Sequence, residues 1–267
     1  MTWFQALVLG IVQGLSEFLP ISSSAHLALT PWLLGWADPG LAFDVALHVG
    51  TLAAVAWYFR AEWIALVRAG FRIVAQRAVR TPEEFRLVFL VIATIPAGIA
   101  GLLLADLAEG TLRAPRLIGS ALIVMGILLW AADRFAPATR TLIGMTWRSA
   151  LLIGLAQAFA LIPGVSRSGA TITGARLLGF TRRDAAVFSF LLSFPVTAAA
   201  ALLKVPDALT EGVTVPLAVG VLAAGLSSWA AISVLLRYVT TRSYGVFAFY
   251  RVALGLFVLV LIASGVR

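Results

Sequence analysis

A chain of 267 residues that is 61% hydrophobic and only 12% charged, with mean hydropathy +1.00, is too apolar for a water-soluble domain, in which about a quarter of residues carry charge. The absence of cysteine excludes disulfides and thiolate metal sites, and His26 and His48 are too few for a histidine-rich metal cage. A net charge of +8 and a pI near 11.1 would suit a nucleic-acid binder, but the arginines cluster at the ends of apolar stretches. That distribution reads as a polytopic membrane protein with the lipid bilayer, and no nucleic acid, as its partner.

Met1-Thr2-Trp3 lacks the basic start of a cleavable signal, and Gln13, Ser16 and Glu17 interrupt the first apolar run. Residues 4–18 and 24–36 are two apolar pieces joined by Pro20-Ile21-Ser22-Ser23-Ser24-Ala25-His26. Each is shorter than the ~20 residues a bilayer crossing needs, so the pair predicts a re-entrant hairpin of half-helices. A first span follows at 41–59, then an amphipathic cytoplasmic segment at 60–85 with Trp63, Leu66, Val67, Phe71 and Val74 toward the membrane. Further spans are predicted at 86–106 and 116–133. A second hairpin is predicted from 150–162 and 170–180, joined by Pro163-Gly164-Val165-Ser166-Arg167-Ser168-Gly169-Ala170-Thr171. Spans at 184–204, 214–236 and 246–265 complete the chain.

The two hairpins match. At an offset of 144, Gly10, Gln13, Ser22 and Ser24 fall on Gly154, Gln157, Ser166 and Ser168, and Phe43 to Ala54 falls on Phe188 to Ala199 at 145. The expected fold is therefore an all-α polytopic membrane protein, one membrane domain over 1–267. Repeat one covers 1–134 and repeat two 149–267, each a re-entrant half-helix hairpin plus three transmembrane helices. Three spans is an odd number, so the second repeat enters with inverted topology. With 60–86 cytoplasmic, only Arg113, Arg116, Lys204 and Arg267 of the 20 basic residues fall at outer ends. Arg167, Arg176 and Arg251 stay within membrane segments, and the rest lie on the cytoplasmic side. The first hairpin then enters from outside and the second from the cytoplasm.

Polar groups at membrane depth are costly and mark function. Glu17 is the one acidic residue placed inside an apolar segment, with Gln13 one turn earlier on the same face. Ser22, Ser23 and Ser24 open a new half-helix. One of them serves as a cap, and one is a candidate nucleophile with His26 as proton-transfer partner. The helix N-terminus adds free N–H groups for an anion. Arg167, between Ser166 and Ser168, has the fork geometry suited to phosphate, and Gly164 and Gly169 allow close backbone approach. Ser168 and Thr171 add hydroxyls. A pairing of Arg167 with Glu17 is compatible with phosphate binding. His48, Thr51 and Asp44 read as packing and hydrogen-bonding residues, with a role in supporting the site residues left open. Arg176 and Arg251 could each hold a phosphate or a backbone carbonyl.

The run Gln13-Gly14-Leu15-Ser16-Glu17-Phe18-Leu19-Pro20-Ile21-Ser22-Ser23-Ser24-Ala25-His26 and the Pro163–Thr171 run resemble the motifs of the undecaprenyl-diphosphatase family, the bacitracin-resistance type of membrane phosphatase. Phe43-Asp44-Val45-Ala46-Leu47-His48-Val49-Gly50-Thr51, Phe188-Ser189-Phe190-Leu191-Leu192 and Tyr250-Arg251 extend the similarity over nearly the whole chain. The resemblance implies hydrolysis of undecaprenyl diphosphate to undecaprenyl phosphate and inorganic phosphate. That recycles the lipid carrier of peptidoglycan synthesis and confers bacitracin resistance. It implies a site opening to the periplasmic side of the bacterial plasma membrane, with Ser23, His26, Glu17 and Arg167 as catalytic residues. Ser22, Ser24, Ser166, Ser168, Gly164 and Thr171 would bind phosphate. The choice of Ser23 among the serines rests on this resemblance, and attack by His26 itself stays open. A divalent cation, Mg2+ or Ca2+, is expected on Glu17 and Gln13; only Glu17 of the two supplies a carboxylate, and Gln13 offers a carbonyl oxygen. A homodimer is left open. The rival reading is a transporter or flippase of a phosphorylated polyprenyl lipid, since broken helices in inverted repeats typify transporters. An intramembrane serine protease would leave Arg167 without a role.

Overall fold

Pro20 and Pro163 set the breaks in the two hairpins. The residue before a proline is pushed out of the helical region, and Leu19 (φ −66°, ψ 138°) and Ile162 (φ −78°, ψ 115°) are both extended. The computed structural model describes residues 1–104, 111–208 and 212–266. Among them are eleven α-helices: α1 (Trp3–Phe18), α2 (Ser23–Leu34), α3 (Leu41–Tyr58), α4 (Arg60–Gln76), α5 (Pro82–Leu103), α6 (Pro115–Phe135), α7 (Trp147–Ala158), α8 (Arg167–Leu177), α9 (Arg182–Ala208), α10 (Val215–Thr241) and α11 (Gly245–Ala263). Each predicted hairpin region is a pair of short helices broken at its proline, α1–α2 and α7–α8, with a 3-10 turn at Phe159–Leu161 ending the first arm of the second.

Among the described residues, five helices are long and apolar enough to cross a bilayer: α5, α6, α9, α10 and α11. The pair Ala42–Tyr58 and Arg60–Gln76 qualifies when taken together and bends by 83° at its junction. The chain is a multi-pass membrane protein. The bend separates α3, in the position of the first predicted span, from the amphipathic α4. Helix α5 starts four residues before the predicted span because Thr81 and Glu84 form a capping box and Pro82 occupies the first turn. Hydropathy undercounts such a charged first turn. Arg267, assigned above to an outer end, lies outside the described residues, as does the predicted end of the second span at residue 106.

The apolar face expected for α4 is divided between two environments. Val67, Phe71 and Val74 are exposed, whereas Leu66 is buried and the Trp63 ring lies 4.6 Å from that of Phe194. One stripe therefore faces the protein and the other faces lipid.

Helices in lipid gain little from the hydrophobic effect on contacting each other, so small residues that permit close backbone approach carry the packing. The most extensive contacts are α1 on α10, α6 on α11, α3 on α10 and α5 on α7. A Cβ on Gly10 would stand 2.3 Å from the carbonyl oxygen of Gly220 on α10, and one on Gly154 would stand 2.5 Å from that of Ala93 on α5. Gly10 and Gly154 are matched positions. Each lets the first arm of its hairpin lie against a long apolar helix distant in sequence, α10 for the first and α5 for the second. Between them, α9 supplies the centre of the core through Phe188, Phe190, Leu191 and Leu192.

Candidate active site at the hairpin tips

The two tips share one backbone design. Ser22 and Ser166 cap α2 and α8 at φ 77° and φ 71°, values that non-glycine residues rarely adopt. Each hydroxyl accepts from the backbone N–H three residues on, Ala25 at 3.4 Å and Gly169 at 3.0 Å. Each also lies 3.2 Å from the next serine hydroxyl but one, Ser24 and Ser168. The tips are cross-linked as well. Gly164 N–H donates to Ser22 Oγ at 3.2 Å, and Ser168 Oγ donates to Leu19 O at 3.1 Å.

Arg251 on α11 locks this junction. Its guanidinium, fully buried, donates to Pro20 O at 3.0 Å in one tip and to Gly164 O and Val165 O at 2.7 and 2.9 Å in the other. The glycines allow it. Gly164 sits at φ 96°, and a Cβ on Gly169 would come within 2.4 Å of Arg251 Nη1. Of the two readings open for Arg251, it takes the backbone carbonyls. Arg176 takes a backbone carbonyl, Pro137 O at 2.9 Å, and also pairs with the buried Asp133 carboxylate at 3.0 Å, a partner outside both readings.

The middle residue of each serine triplet position differs: Ser23 in one tip, Arg167 in the other. Both converge on Glu17. Ser23 Oγ donates to Glu17 Oε2 at 2.5 Å, and Arg167 Nη2 donates to Glu17 Oε1 at 2.5 Å. Gln13 Nε2 donates to Oε2 at 3.0 Å, and His48 Nε2 on α3 lies 3.4 Å from the same oxygen. Glu17 is buried, while Ser23 and Arg167 are only partly so. A carboxylate, a hydroxyl and a guanidinium meet at an accessible point between two helix N-termini. Such a set can deprotonate a hydroxyl and stabilise an anion.

The remaining predicted residues stand around this centre. His26 engages Ser22 O through Nδ1 at 2.7 Å and Tyr250 Oη through Nε2 at 2.8 Å, with its ring stacked on Tyr250. It does not bond to Ser23 in this arrangement. Ser24 is exposed. Thr171 is buried, bonding Arg167 O at 2.8 Å and Ser189 Oγ at 2.7 Å, so it braces the helix that carries Arg167. Ser22, Ser166, Ser168 and Gly164 form the tip scaffold described above.

Of the roles open to His48, packing and hydrogen bonding or support of the site, the structure places it beside the Glu17 carboxylate. An intramembrane histidine one turn after Asp44 was the available signal; the crossing of α3 over α1 was not readable. The oxygen donors that could face a cation are the Glu17 carboxylate, whose two oxygens accept from Ser23, Gln13 and Arg167, and Gln13 Oε1, which is buried without a hydrogen-bond partner. Among the described residues no group of three His, Asp or Glu side chains forms a metal site.

Residues 6–257 match the model of a family described as bacitracin resistance protein BacA. An undecaprenyl-diphosphatase of Gemmatimonas aurantiaca is 59% identical over 265 residues, 99% of either chain. Undecaprenyl-diphosphatases of Pelotomaculum thermopropionicum and Myxococcus xanthus are 51% and 47% identical, each over 99% of this chain and over 98% and 91% of their own.

Proposed function

The chain belongs to the bacitracin resistance protein BacA family, and from that membership we propose that it hydrolyses undecaprenyl diphosphate to undecaprenyl phosphate and inorganic phosphate. The observation that carries the reading is the convergence of Ser23 from one tip and Arg167 from the other on Glu17. In the proposed reaction Ser23 Oγ attacks the terminal phosphorus and Glu17 Oε2 takes its proton. The bond from phosphorus to the bridging oxygen breaks, and its electron pair leaves with the polyprenyl phosphate. Protonating Glu17 weakens its hold on Arg167 and frees the guanidinium for the equatorial oxygens, where phosphoryl transfer needs charge stabilisation. Water then attacks the phosphoserine; the bond from phosphorus to Ser23 Oγ breaks, Glu17 returns its proton to Oγ, and the phosphate leaves with the water oxygen and one of its protons while the other passes to solvent. His26 lies three residues beyond Ser23, on the same face of α2. With Tyr250 it offers polar groups to the departing phosphate.

A magnesium or calcium ion held by Glu17 and Gln13 would neutralise phosphate charge. The tail would lie along the lipid-facing groove between spans. The arginines of the 60–86 region, at the ends read as cytoplasmic, favour the inverted-repeat threading in the plasma membrane with the site opening to the periplasmic side.

The test is phosphate release from a polyprenyl diphosphate by detergent-purified protein, with and without magnesium or calcium. Wild-type protein is expected to release phosphate. Arg167→Ala should lower the rate by about 10²–10³-fold, the usual cost of removing one charge-stabilising donor. Lipid binding without release under any cation would favour the transporter reading, since transport needs a sealed membrane.

A further inference from the structure

We propose that a cleft away from the hairpin tips binds the phosphate headgroup of an anionic membrane lipid. The cleft, of about 310 Å³, is lined by Tyr58 and Phe59 at the end of α3, Arg183 at the start of α9, and Leu236, Arg237 and Thr240 near the end of α10. Tyr58 lies ten residues beyond His48, the α3 residue beside Glu17. That is about 15 Å along the helix axis, so the cleft is separate from the reacting groups.

Its two arginines lack anions. Among the described residues, neither the Arg183 nor the Arg237 guanidinium has a hydrogen bond or an ion pair. The acids of the neighbouring helix ends are already engaged. Asp133 is held by Arg176, Arg182 and the backbone N–H of Tyr244. Asp184 accepts from Thr181 Oγ1 at 2.9 Å. The Tyr58 hydroxyl likewise has no hydrogen-bond partner among the described residues. Thr240 is occupied, donating to Arg237 O at 2.6 Å. The free donors of the cleft are therefore two planar forks and one phenol. A phosphate group, whose oxygens accept several donors at once, fits that set.

The surroundings select a lipid over a soluble anion. Helix α10 continues from the cleft along the span and exposes Val234, Trp229 and Leu226. The Tyr58 ring stands edge-on to Trp229, with centroids 6.5 Å apart, and joins the polar cleft to this apolar strip. A headgroup on the arginines lays its acyl chains over Trp229 and Leu226. Each basic residue at a membrane surface strengthens the hold on an anionic lipid by about fivefold.

The probes are phosphatidylglycerol, phosphatidylcholine and inorganic phosphate, added to detergent-purified protein. Native mass spectrometry counts bound lipid, and brominated acyl chains report contact with tryptophan by quenching. Wild-type protein is expected to hold phosphatidylglycerol at least about tenfold more tightly than phosphatidylcholine. Arg183→Gln combined with Arg237→Gln should weaken that binding by about 30-fold. Both side chains are exposed, so the thermal midpoint should not move. Arg68→Gln combined with Arg148→Gln removes the same charge outside the cleft and should leave the binding unchanged. Equal affinity for the two lipids overturns the proposal, as does an equal loss in both double variants, which would mark diffuse attraction. Displacement of the bound lipid by millimolar inorganic phosphate would overturn the lipid assignment. The comparison of lipids on the wild type decides the matter even if a variant fails to fold.

Discussion

Glu17→Gln is expected to lower phosphate release by about 10³-fold, within the range for losing a general base. The substitution is nearly isosteric, so the loss measures charge and basicity rather than shape. Glutamine can accept from Ser23 but cannot take its proton. Its amide also turns a donor toward one of the groups that now converge on the carboxylate: Arg167, Ser23, Gln13 and His48. Arg167 is left without an anion in a site of low polarity, which costs stability as well. Glu17→Asp separates the two effects. It keeps the charge and the base on a shorter arm, so its rate should fall between wild type and Glu17→Gln. Equal rates for the two variants would show that the carboxylate is not acting as the base. Initial rates at saturating lipid, read beside the thermal midpoint in detergent, make the comparison.

Arg251→Leu is expected to destabilise the protein by more than about 3 kcal/mol, because it strands buried acceptors rather than merely removing a contact. Pro20 O, Gly164 O and Val165 O each lose their donor in a place water does not reach. The same bonds hold Ser22 and Ser166 in their unfavourable positive-φ conformations, so the register between tips is lost too. Activity should therefore fall with stability. Arg251→Lys should not restore either, since a single ammonium cannot span carbonyls of both tips as a planar fork does. The eight tryptophans give an intrinsic signal for the melt. A wild-type midpoint in either variant would rule out the clamp.

The hairpins and most spans were legible because their signals are local. Pro20 and Pro163 force breaks, and the matched Ser22 and Ser166 share a cap whose chemistry does not depend on distant contacts. Glu17 and Arg167 stood out because charge inside an apolar run is expensive. What remained hidden depends on how helices cross. His48 sits on a span that reads as ordinary packing until α3 lies against α1. Arg251 looked equally suited to phosphate and to carbonyls, and only the approach of α11 to both tips decides it. The division of labour among the serines was hidden for the same reason. Ser22, Ser166 and Ser168 turn inward to build the junction, while Ser23 turns to Glu17. The two matched tips share the scaffold serines and differ in the residue between them, Ser23 and Arg167, which is where the proposed chemistry lies.

The most direct test of that claim is a single turnover with a polyprenyl diphosphate radiolabelled on its terminal phosphate, quenched in parallel in acid, which preserves phosphoserine, and in alkali, which preserves phosphohistidine, followed by mapping of the labelled residue. The account predicts a phosphoserine at Ser23 that forms and decays within the turnover, and neither label nor activity in a folded Ser23→Ala variant. Label on His26, or full activity in Ser23→Ala, would contradict it.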